Sequence, residues 1–158
     1  MKQLVWVTDC HLDDVEKKVR QSFYSTLPGY DGVIISGDIA NATTLHSMLT
    51  ELRSKITSPL YLVLGNHDFY YSSITKVKES LTQFLKKESS ITWLTTSKAI
   101  RLTDHTVLTG VDSWADGRYG HFLKSPVLQR MRDFKWIAEL KEQLDVSKDA
   151  LFTKLKQL

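Results

Sequence analysis

Three short and continuously apolar runs constrain the fold of this chain more than any other feature of its sequence. They are Leu4–Val7, Gly32–Ser36 and Leu60–Leu64. A strand with one face in water alternates apolar and polar residues, whereas a strand covered on both faces is apolar throughout. The segments between the runs carry apolar residues at helical spacing, so strands and helices alternate. This order predicts an α/β fold in which the first three strands are parallel.

The rest of the sequence continues this pattern and adds three more strands. Val15, Val19 and Phe23 mark one face of the first helix, and Thr43 or Thr44 is the expected N-cap of the second. The other predicted elements are a helix from Ser72 or Ser73 to Leu85, strands at Ile91–Leu94, Ala99–Leu102 and Thr106–Val111, and helices at 133–144 and 148–158. No repeat or linker interrupts the chain, so residues 1–158 are expected to form a single domain.

Composition excludes several classes of protein. The chain has 21 Lys and Arg against 18 Asp and Glu, and a net charge of +3 is too small to indicate nucleic acid or an acidic membrane. Cys10 is the only cysteine, which excludes an internal disulfide and fits a cytoplasmic setting. No apolar stretch approaches the roughly 18 residues of a membrane span. The oligomeric state is left open.

Polar clusters follow the ends of the apolar runs. Asp9 and His11 follow the first, Asp38 the second, and Asn66, His67 and Asp68 the third. Carboxyl ends of parallel strands lie along one edge of a sheet, where ligands bind. Turn chemistry alone favours Asp, Asn and Gly after strands, but it does not explain two histidines. The clusters therefore predict a common site.

The residue types at this site indicate a metal. Carboxylate oxygen, imidazole nitrogen and amide oxygen suit Mn²⁺, Fe or Zn²⁺. In an extended segment, Asp9 and His11 project to the same side and Cys10 to the other, so Cys10 is expected to be buried filler. The ordered set Asp9-x-His11, Gly37-Asp38 and Gly65-Asn66-His67-Asp68 then resembles the first three motifs of the calcineurin-like metallophosphoesterase family.

This resemblance implies a β-sandwich flanked by helices, in α-β-β-α layers, and a two-metal site. Asp9 and His11 would bind the first ion, Asp38 would bridge both ions, and Asn66 would bind the second. His67 would sit over the phosphate and assist the leaving group, while metal-bound hydroxide attacks the phosphoester. Family members often carry an acidic residue three positions after the bridging aspartate to orient that histidine; here it is Asn41, and Asp68 is a candidate substitute.

The later motifs of the family are not present in this sequence. The family adds a histidine after a fourth strand and a Gly-His-x-His motif, whereas His46 and His105 have unsuitable positions and only His121 is a candidate ligand. Helical spacing also continues to Leu158 without a stop signal. We therefore expect residues 1–158 to be the N-terminal part of a longer protein, with a fold incomplete at the C-terminus.

Substrate contacts are predicted in the loop of residues 111–122, where Asp112 starts at the catalytic edge and Arg118 is suited to pair with a phosphate. The predicted function is metal-dependent hydrolysis of a phosphoester, in a small molecule or a phosphorylated macromolecule. The alternative is a catalytically inactive metallophosphoesterase-like module used for binding, which the incomplete ligand set favours and the intact His67 disfavours. A covalent aspartate phosphatase is a poor fit because His11, not aspartate, follows Asp9 by two residues.

Overall fold

The computed structural model describes residues 2–113 and 130–141. Helices and strands alternate from the first strand to the fourth, as the apolar runs predict, and two further strands and two short helices follow. The strands are β1 Leu4–Val7, β2 Gly32–Ser36, β3 Leu60–Val63, β4 Ile91–Trp93, β5 Ile100–Thr103 and β6 Thr106–Leu108. The helices are α1 Lys17–Ser25, α2 Leu45–Arg53, α3 Ile74–Leu85, α4 Asp133–Trp136 and α5 Ala138–Lys141, and a 3₁₀ turn spans His67–Phe69.

The first four strands form one parallel sheet in the order β1-β2-β3-β4. Val7 pairs with Ile35 and Ile35 pairs with Leu62, so these strands end at nearly the same level. Strands β5 and β6 form a separate antiparallel pair. The prediction of an α/β fold with parallel first strands is confirmed, because helices and the first three strands alternate as expected.

The central strands are buried because helices pack on the sheet. Val33, Ile35, Leu60 and Leu62 are fully buried, and they form one core with the apolar faces of α2 and α3. Ser73 caps α3 as predicted, with its hydroxyl accepting a hydrogen bond from the Lys76 amide at 3.1 Å. The core therefore fixes the strands whose ends carry the candidate ligands.

Two details of the predicted helices differ in the structure. The sequence predicts Val19 on the same apolar face of α1 as Phe23, but Val19 is 56% exposed. Thr44 occupies the N-cap position of α2, yet its side chain makes no capping bond and donates instead to Asp13 Oδ2 at 2.9 Å. At Thr44, a contact with a residue 31 positions earlier overrides the local capping signal.

The continuous helix expected at 133–144 is wrong for its described part. Helix α4 ends at Trp136, Ile137 adopts extended backbone, and α5 begins at Ala138. Ile137 pairs with Ser72 as an isolated parallel bridge, and the Ala138 amide donates to the Ser72 carbonyl at 2.9 Å. This pairing with the loop before α3 breaks the helix. The predicted helix at 148–158 lies outside the described residues.

Strand β1 forms one edge of the four-stranded sheet, and Trp6 on it is 71% exposed. The indole N–H of Trp6 donates to the Ser36 hydroxyl on β2 at 2.7 Å. None of the helices in the described ranges combines the length and hydropathy that a bilayer-spanning segment requires.

Candidate metal centre

The segments after β1 and β2 run side by side beyond the sheet. The Asp9 amide donates to the Gly37 carbonyl at 3.2 Å, and the His11 amide donates to the Asp38 carbonyl at 3.0 Å. These backbone bonds extend the pairing of the two strands into their loops. The first two sequence motifs are thereby brought together, as the argument from parallel strands predicts.

The backbone at this edge is left-handed at three predicted ligands. The φ angles are 52° at Asp9, 40° at His11 and 51° at Asp38. Asp and His adopt this conformation more readily than most residues, although it remains strained, and such strain collects at functional sites. The expectation that Asp9 and His11 lie in an extended segment is therefore wrong. The local turn, and not strand alternation, sets where these side chains go.

Three side chains from three loops form a group with metal-binding geometry. One ligand atom each from His11, Asp38 and His67 lies within 4.8 Å of the other two. His11 Nε2 is 4.0 Å from Asp38 Oδ2, and the rings of His11 and His67 meet edge to face with centroids 4.4 Å apart. These separations leave room for a cation between the donors.

A close approach of two glycines allows Asp38 to reach its position. The second carboxylate oxygen of Asp38, Oδ1, accepts the His67 amide at 3.0 Å, so the aspartate joins the loops after β2 and β3. A Cβ atom at Gly65 would lie 2.2 Å from Asp38 Oδ1, and one at Gly37 would lie 2.9 Å from the Gly65 backbone. Neither position has space for a side chain, which explains the glycine in each motif.

Asn66 is held by two side chains from other parts of the chain. Its amide nitrogen donates to Asp133 Oδ1 and to the Tyr70 hydroxyl, the latter at 3.1 Å. The Tyr70 hydroxyl in turn donates to Asp133 Oδ1 at 3.3 Å. Burial, reinforced by the Asp133 carboxylate, raises the pKa of Tyr70 above its ordinary value, so the hydroxyl keeps its proton.

Asp68 is buried beneath the site and ties two strand ends together. Its oxygens accept hydrogen bonds from the amides of Ile39, Ala40 and Gly65 at 2.8–3.1 Å. Burial raises the pKa of Asp68 to about 7 despite these three donors, which act in the opposite direction. Its carboxylate therefore organises the loops after β2 and β3; the structure gives no support to Asp68 as the group that orients His67.

Asn41 also has a different role from the acidic residue of the family pattern. Its side-chain and backbone N–H groups both donate to Asp13 Oδ2, and its own side-chain oxygen accepts from the Thr43 amide at 2.9 Å. Asn41 thus fastens the loop after β2 to the loop after β1. His67 instead packs against Tyr70, with ring centroids 4.2 Å apart.

Other predicted site residues are not part of this group. Asp9 is exposed, and its carboxylate accepts a hydrogen bond from the neighbouring Thr8 hydroxyl. Cys10 makes no part of the cluster either; burial raises the pKa of its thiol to about 11, which fits the filler role. Arg118 and His121 lie outside the described residues.

Asp112 lies at the end of β3, near the predicted edge, but its carboxylate already has partners. It accepts the Leu64 amide at 2.7 Å and the Trp93 indole N–H at 2.9 Å. The Asp112 amide donates to the Thr95 hydroxyl at 2.7 Å. These bonds brace the loop after β6 against β3 and β4, and a role of Asp112 in substrate binding stays a prediction.

Buried charge of one sign supports a cation at this place. Of the described residues, only Asp38, Asp68 and Asp133 are buried and charged, and all three bond to the 65–67 segment. Among those same residues no lysine or arginine forms an ion pair with any of them. Buried carboxylates are costly unless paired or coordinating a metal. The set of His, Asp and Asn donors fits a divalent ion of the Mn²⁺, Fe²⁺ or Zn²⁺ type.

Sequence reasoning missed Asp133 as a member of this site. In the sequence it stands at the start of an amphipathic segment, where an acidic residue is expected in the first turn of any helix. Only its 3% exposure, and its contact with a residue 67 positions earlier, distinguish it. No signal local to residue 133 would have revealed the contact.

Helices on a parallel sheet, with cation-binding side chains at the ends of its strands, define an α/β protein with a candidate metal centre. The family model of calcineurin-like phosphoesterases matches residues 3–150, and the chain belongs to that family. Among solved structures, it is similar to the crystal structure of a phosphopantetheinyl hydrolase from Mycobacterium tuberculosis. The two share 14% sequence identity with a TM-score of 0.62, over 99% of this chain and 64% of the other. The chain thus spans just under two thirds of that structure's length, and no curated protein matches it.

Proposed function

We propose that this chain hydrolyses a phosphoester by metal-dependent catalysis at a two-metal site. The observation that carries the proposal is the convergence of His11, Asp38 and His67, with ligand atoms within 4.8 Å of one another. Membership of the calcineurin-like phosphoesterase family supports the reaction type. When bound, the ions would supply Lewis-acid charge to the phosphoryl oxygens and activate a water.

The residues of the chain divide into metal ligands and a proton donor in this proposal. Asp9 and His11 would hold the first ion, Asn66 would hold the second, and Asp38 would be the ligand shared by both. His67 donates a proton to the leaving oxygen. Its backbone amide is fixed on Asp38 Oδ1, and its ring is packed between His11 and Tyr70, so its position is determined by the site itself.

The metals and substrate follow from the same donors. Mn²⁺, Fe and Zn²⁺ are the proposed ions, because imidazole and carboxylate oxygen suit borderline cations. The substrate is a phosphoester of a small molecule or a phosphorylated macromolecule, with Arg118 and Asp112 as proposed contacts. A cytoplasmic location is proposed from the single cysteine.

A catalytically inactive binding module is the second candidate. The observation that favours it is the exposed Asp9, which stands outside the group formed by His11, Asp38 and His67. Under this alternative the centre binds one ion weakly and hydrolyses nothing.

The experiment that tests the proposal measures hydrolysis of p-nitrophenyl phosphate and its bis-ester with added Mn²⁺, together with bound metal. We expect hydrolysis that a chelator abolishes. Substitution His67→Ala should reduce turnover by about 10²–10⁴-fold, the usual contribution of a positioned proton donor, and leave bound metal unchanged.

The matched control is His105→Ala, which removes an exposed imidazole in the turn between β5 and β6. It should change neither quantity. Loss of metal in His67→Ala would make His67 a ligand and not a proton donor. Absence of hydrolysis in the wild-type chain despite bound Mn²⁺ would favour the binding module.

A further inference from the structure

Asn66, Tyr70 and Asp133 form a closed triangle of hydrogen bonds beside the candidate metal centre. Asp133 Oδ1 accepts from both the Asn66 amide nitrogen and the Tyr70 hydroxyl. The same amide nitrogen also donates to the Tyr70 oxygen at 3.1 Å. Both N–H bonds of the Asn66 amide therefore have acceptors on one side, and only the amide oxygen is left for other partners.

The segment that carries Asp133 is docked firmly on the loop that carries Asn66. The Tyr71 amide donates to the Trp136 carbonyl at 2.9 Å, and Ser72 pairs with Ile137. Glu139 accepts the amides of Ile74 and Thr75 at 2.8 and 3.0 Å, which caps the start of α3. Asp133 is thus placed by contacts that do not themselves involve Asn66.

A buried carboxylate in this place needs an explanation. Asp133 is 3% exposed, and its side-chain partners in the described part of the chain are a neutral amide and a neutral phenol. Neutral donors compensate a buried charge only in part. An amide that links the carboxylate to a cation would complete the compensation, since Asn66 would donate to the anion and present its oxygen to the metal.

We propose that Asp133 is a positioning residue for the metal centre: by accepting the Asn66 amide N–H, together with Tyr70, it turns the Asn66 oxygen toward the ion. The arrangement is that of a partner outside the coordination sphere which orients a ligand. The inference rests on the proposed function, because it assumes that Asn66 binds a metal. The inference adds to the proposed metal centre a carboxylate, that of Asp133, which lies 67 residues after Asn66 in the sequence.

The test measures Mn²⁺ binding to the 158-residue chain by calorimetry and by the electron paramagnetic resonance of bound Mn²⁺. We expect Asp133→Ala to weaken one class of Mn²⁺ site by about 10–100-fold, the usual effect of losing such a partner. Asn66→Ala should weaken the same class of site. Asp133→Asn keeps an oxygen that accepts the Asn66 N–H, and it should recover most of the lost affinity.

Two further variants separate positioning from folding. Ile91→Val removes a buried methyl group at the start of β4, the end of the sheet opposite the metal centre, and its Mn²⁺ affinity should equal that of the wild type. Tyr70→Phe removes one corner of the triangle but keeps the ring, so a smaller loss of the same kind is expected even if Asp133→Ala proves unstable. Thermal unfolding of each variant confirms that it is folded.

Several results would overturn the inference. They are wild-type Mn²⁺ affinity in Asp133→Ala and Tyr70→Phe, an equal loss in Ile91→Val, or no recovery in Asp133→Asn. A wild-type chain that binds no Mn²⁺ would refute the inference and the proposed function together. A wild-type chain that binds Mn²⁺ without hydrolysing phosphoesters would refute only the proposed reaction, because the inference is measured by binding.

Discussion

Gly65 and Gly29 are both loop glycines, but the molecule needs them for different reasons. Gly29 has a φ of +100°, which an L-residue rarely adopts, and nothing lies within 4 Å of where its Cβ would be. At Gly65 the constraint is space, because an added Cβ would lie 2.2 Å from Asp38 Oδ1 and 2.7 Å from the Asp38 amide. A methyl group at Gly65 must therefore displace the proposed bridging carboxylate.

The two glycines give a matched pair of alanine substitutions. We expect Gly65→Ala to lose phosphoesterase activity and Mn²⁺ affinity, with a destabilisation of about 1–3 kcal/mol from overpacking. Gly29→Ala should cost about 1–2 kcal/mol through its backbone conformation and leave both functions unchanged. Urea unfolding and Mn²⁺ calorimetry distinguish the two effects. Wild-type affinity in Gly65→Ala would contradict the crowding argument.

Residue types and their places after strands were enough to predict that His11, Asp38 and His67 lie together, because each follows an apolar strand and the strands end together. The orientation of Asp9 could not be predicted in the same way. Strand alternation puts residues two apart on one side, but the left-handed backbone at Asp9 and His11 replaces that rule with a turn. Asp9 is consequently exposed to solvent and hydrogen-bonded to Thr8, outside the group formed by His11, Asp38 and His67.

At the scale of elements, α1 and α2 are joined by a pair of oppositely charged side chains. Arg20 on α1 donates from Nε and from a terminal nitrogen to the two oxygens of Glu51 on α2, at 3.2 and 3.0 Å. The side chains are 12% and 21% exposed. Hydrogen bonding to Arg20 lowers the pKa of Glu51 below its ordinary value, although burial acts in the opposite direction.

This pair predicts a defined pH dependence of stability. A carboxyl whose pKa is lowered by folding stabilises the protein above its unfolded pKa, and the contribution disappears as the pH falls through the folded pKa. Glu51→Gln should therefore lower the free energy of unfolding by about 1 kcal/mol at pH 7, and the difference from wild type should shrink below about pH 4. Urea unfolding at pH 7, 5 and 3 measures it.

The control for this prediction is Glu79→Gln at an exposed position on α3. It should give curves close to wild type at each pH. If the loss of unfolding free energy in Glu51→Gln were the same at pH 7 and pH 3, packing of the side chain, and not its charge, would stabilise the contact between α1 and α2.

The elements that could be predicted from the sequence are those whose structure is determined by residues within the element. The apolar strands and the Ser73 cap were found because burial and capping leave local patterns. The break between α4 and α5 left no such pattern, since 133–141 has helical spacing and lacks Gly or Pro. Ile137 leaves the helix to pair with Ser72, a partner 65 positions earlier that no local periodicity reveals.

At the scale of the whole molecule, the described residues concentrate buried negative charge at the metal centre. Asp38, Asp68 and Asp133 all bond to the 65–67 segment, and even with Asp68 partly protonated near pH 7 the folded state without a cation holds unfavourable electrostatic energy. A bound cation would relieve this energy in the folded state and not in the unfolded chain. The free energy of unfolding should therefore increase more on metal binding than it would if the metal bound to exposed carboxylates at the surface.

We expect Mn²⁺ at about 100 times its dissociation constant to stabilise the chain by about 2.7 kcal/mol. For a protein of this size, that corresponds to a rise in melting temperature of roughly 5–10 °C. A chelator should reverse this rise in melting temperature. The substitution Asp38→Asn should remove most of the rise, because it weakens the binding of both ions. Differential scanning calorimetry provides the measurement. An equal rise in Asp38→Asn would show that Mn²⁺ binds elsewhere.

The hydrogen bonds among Asn66, Tyr70 and Asp133 have a consequence for the order in which the metal centre forms during protein synthesis. Of the five proposed residues of the metal centre, Asp9 and His11 are translated first and His67 last, after Asp38 and Asn66. Asp133 comes 66 residues after His67, so a nascent chain holds the ligands for a long interval before the side chain that orients one of them. Long-range contacts of this kind form late. A metal ion that binds during translation would therefore contact an Asn66 side chain whose orientation is not yet fixed. The orientation seen in the folded protein would be reached only after the segment carrying Asp133 had docked.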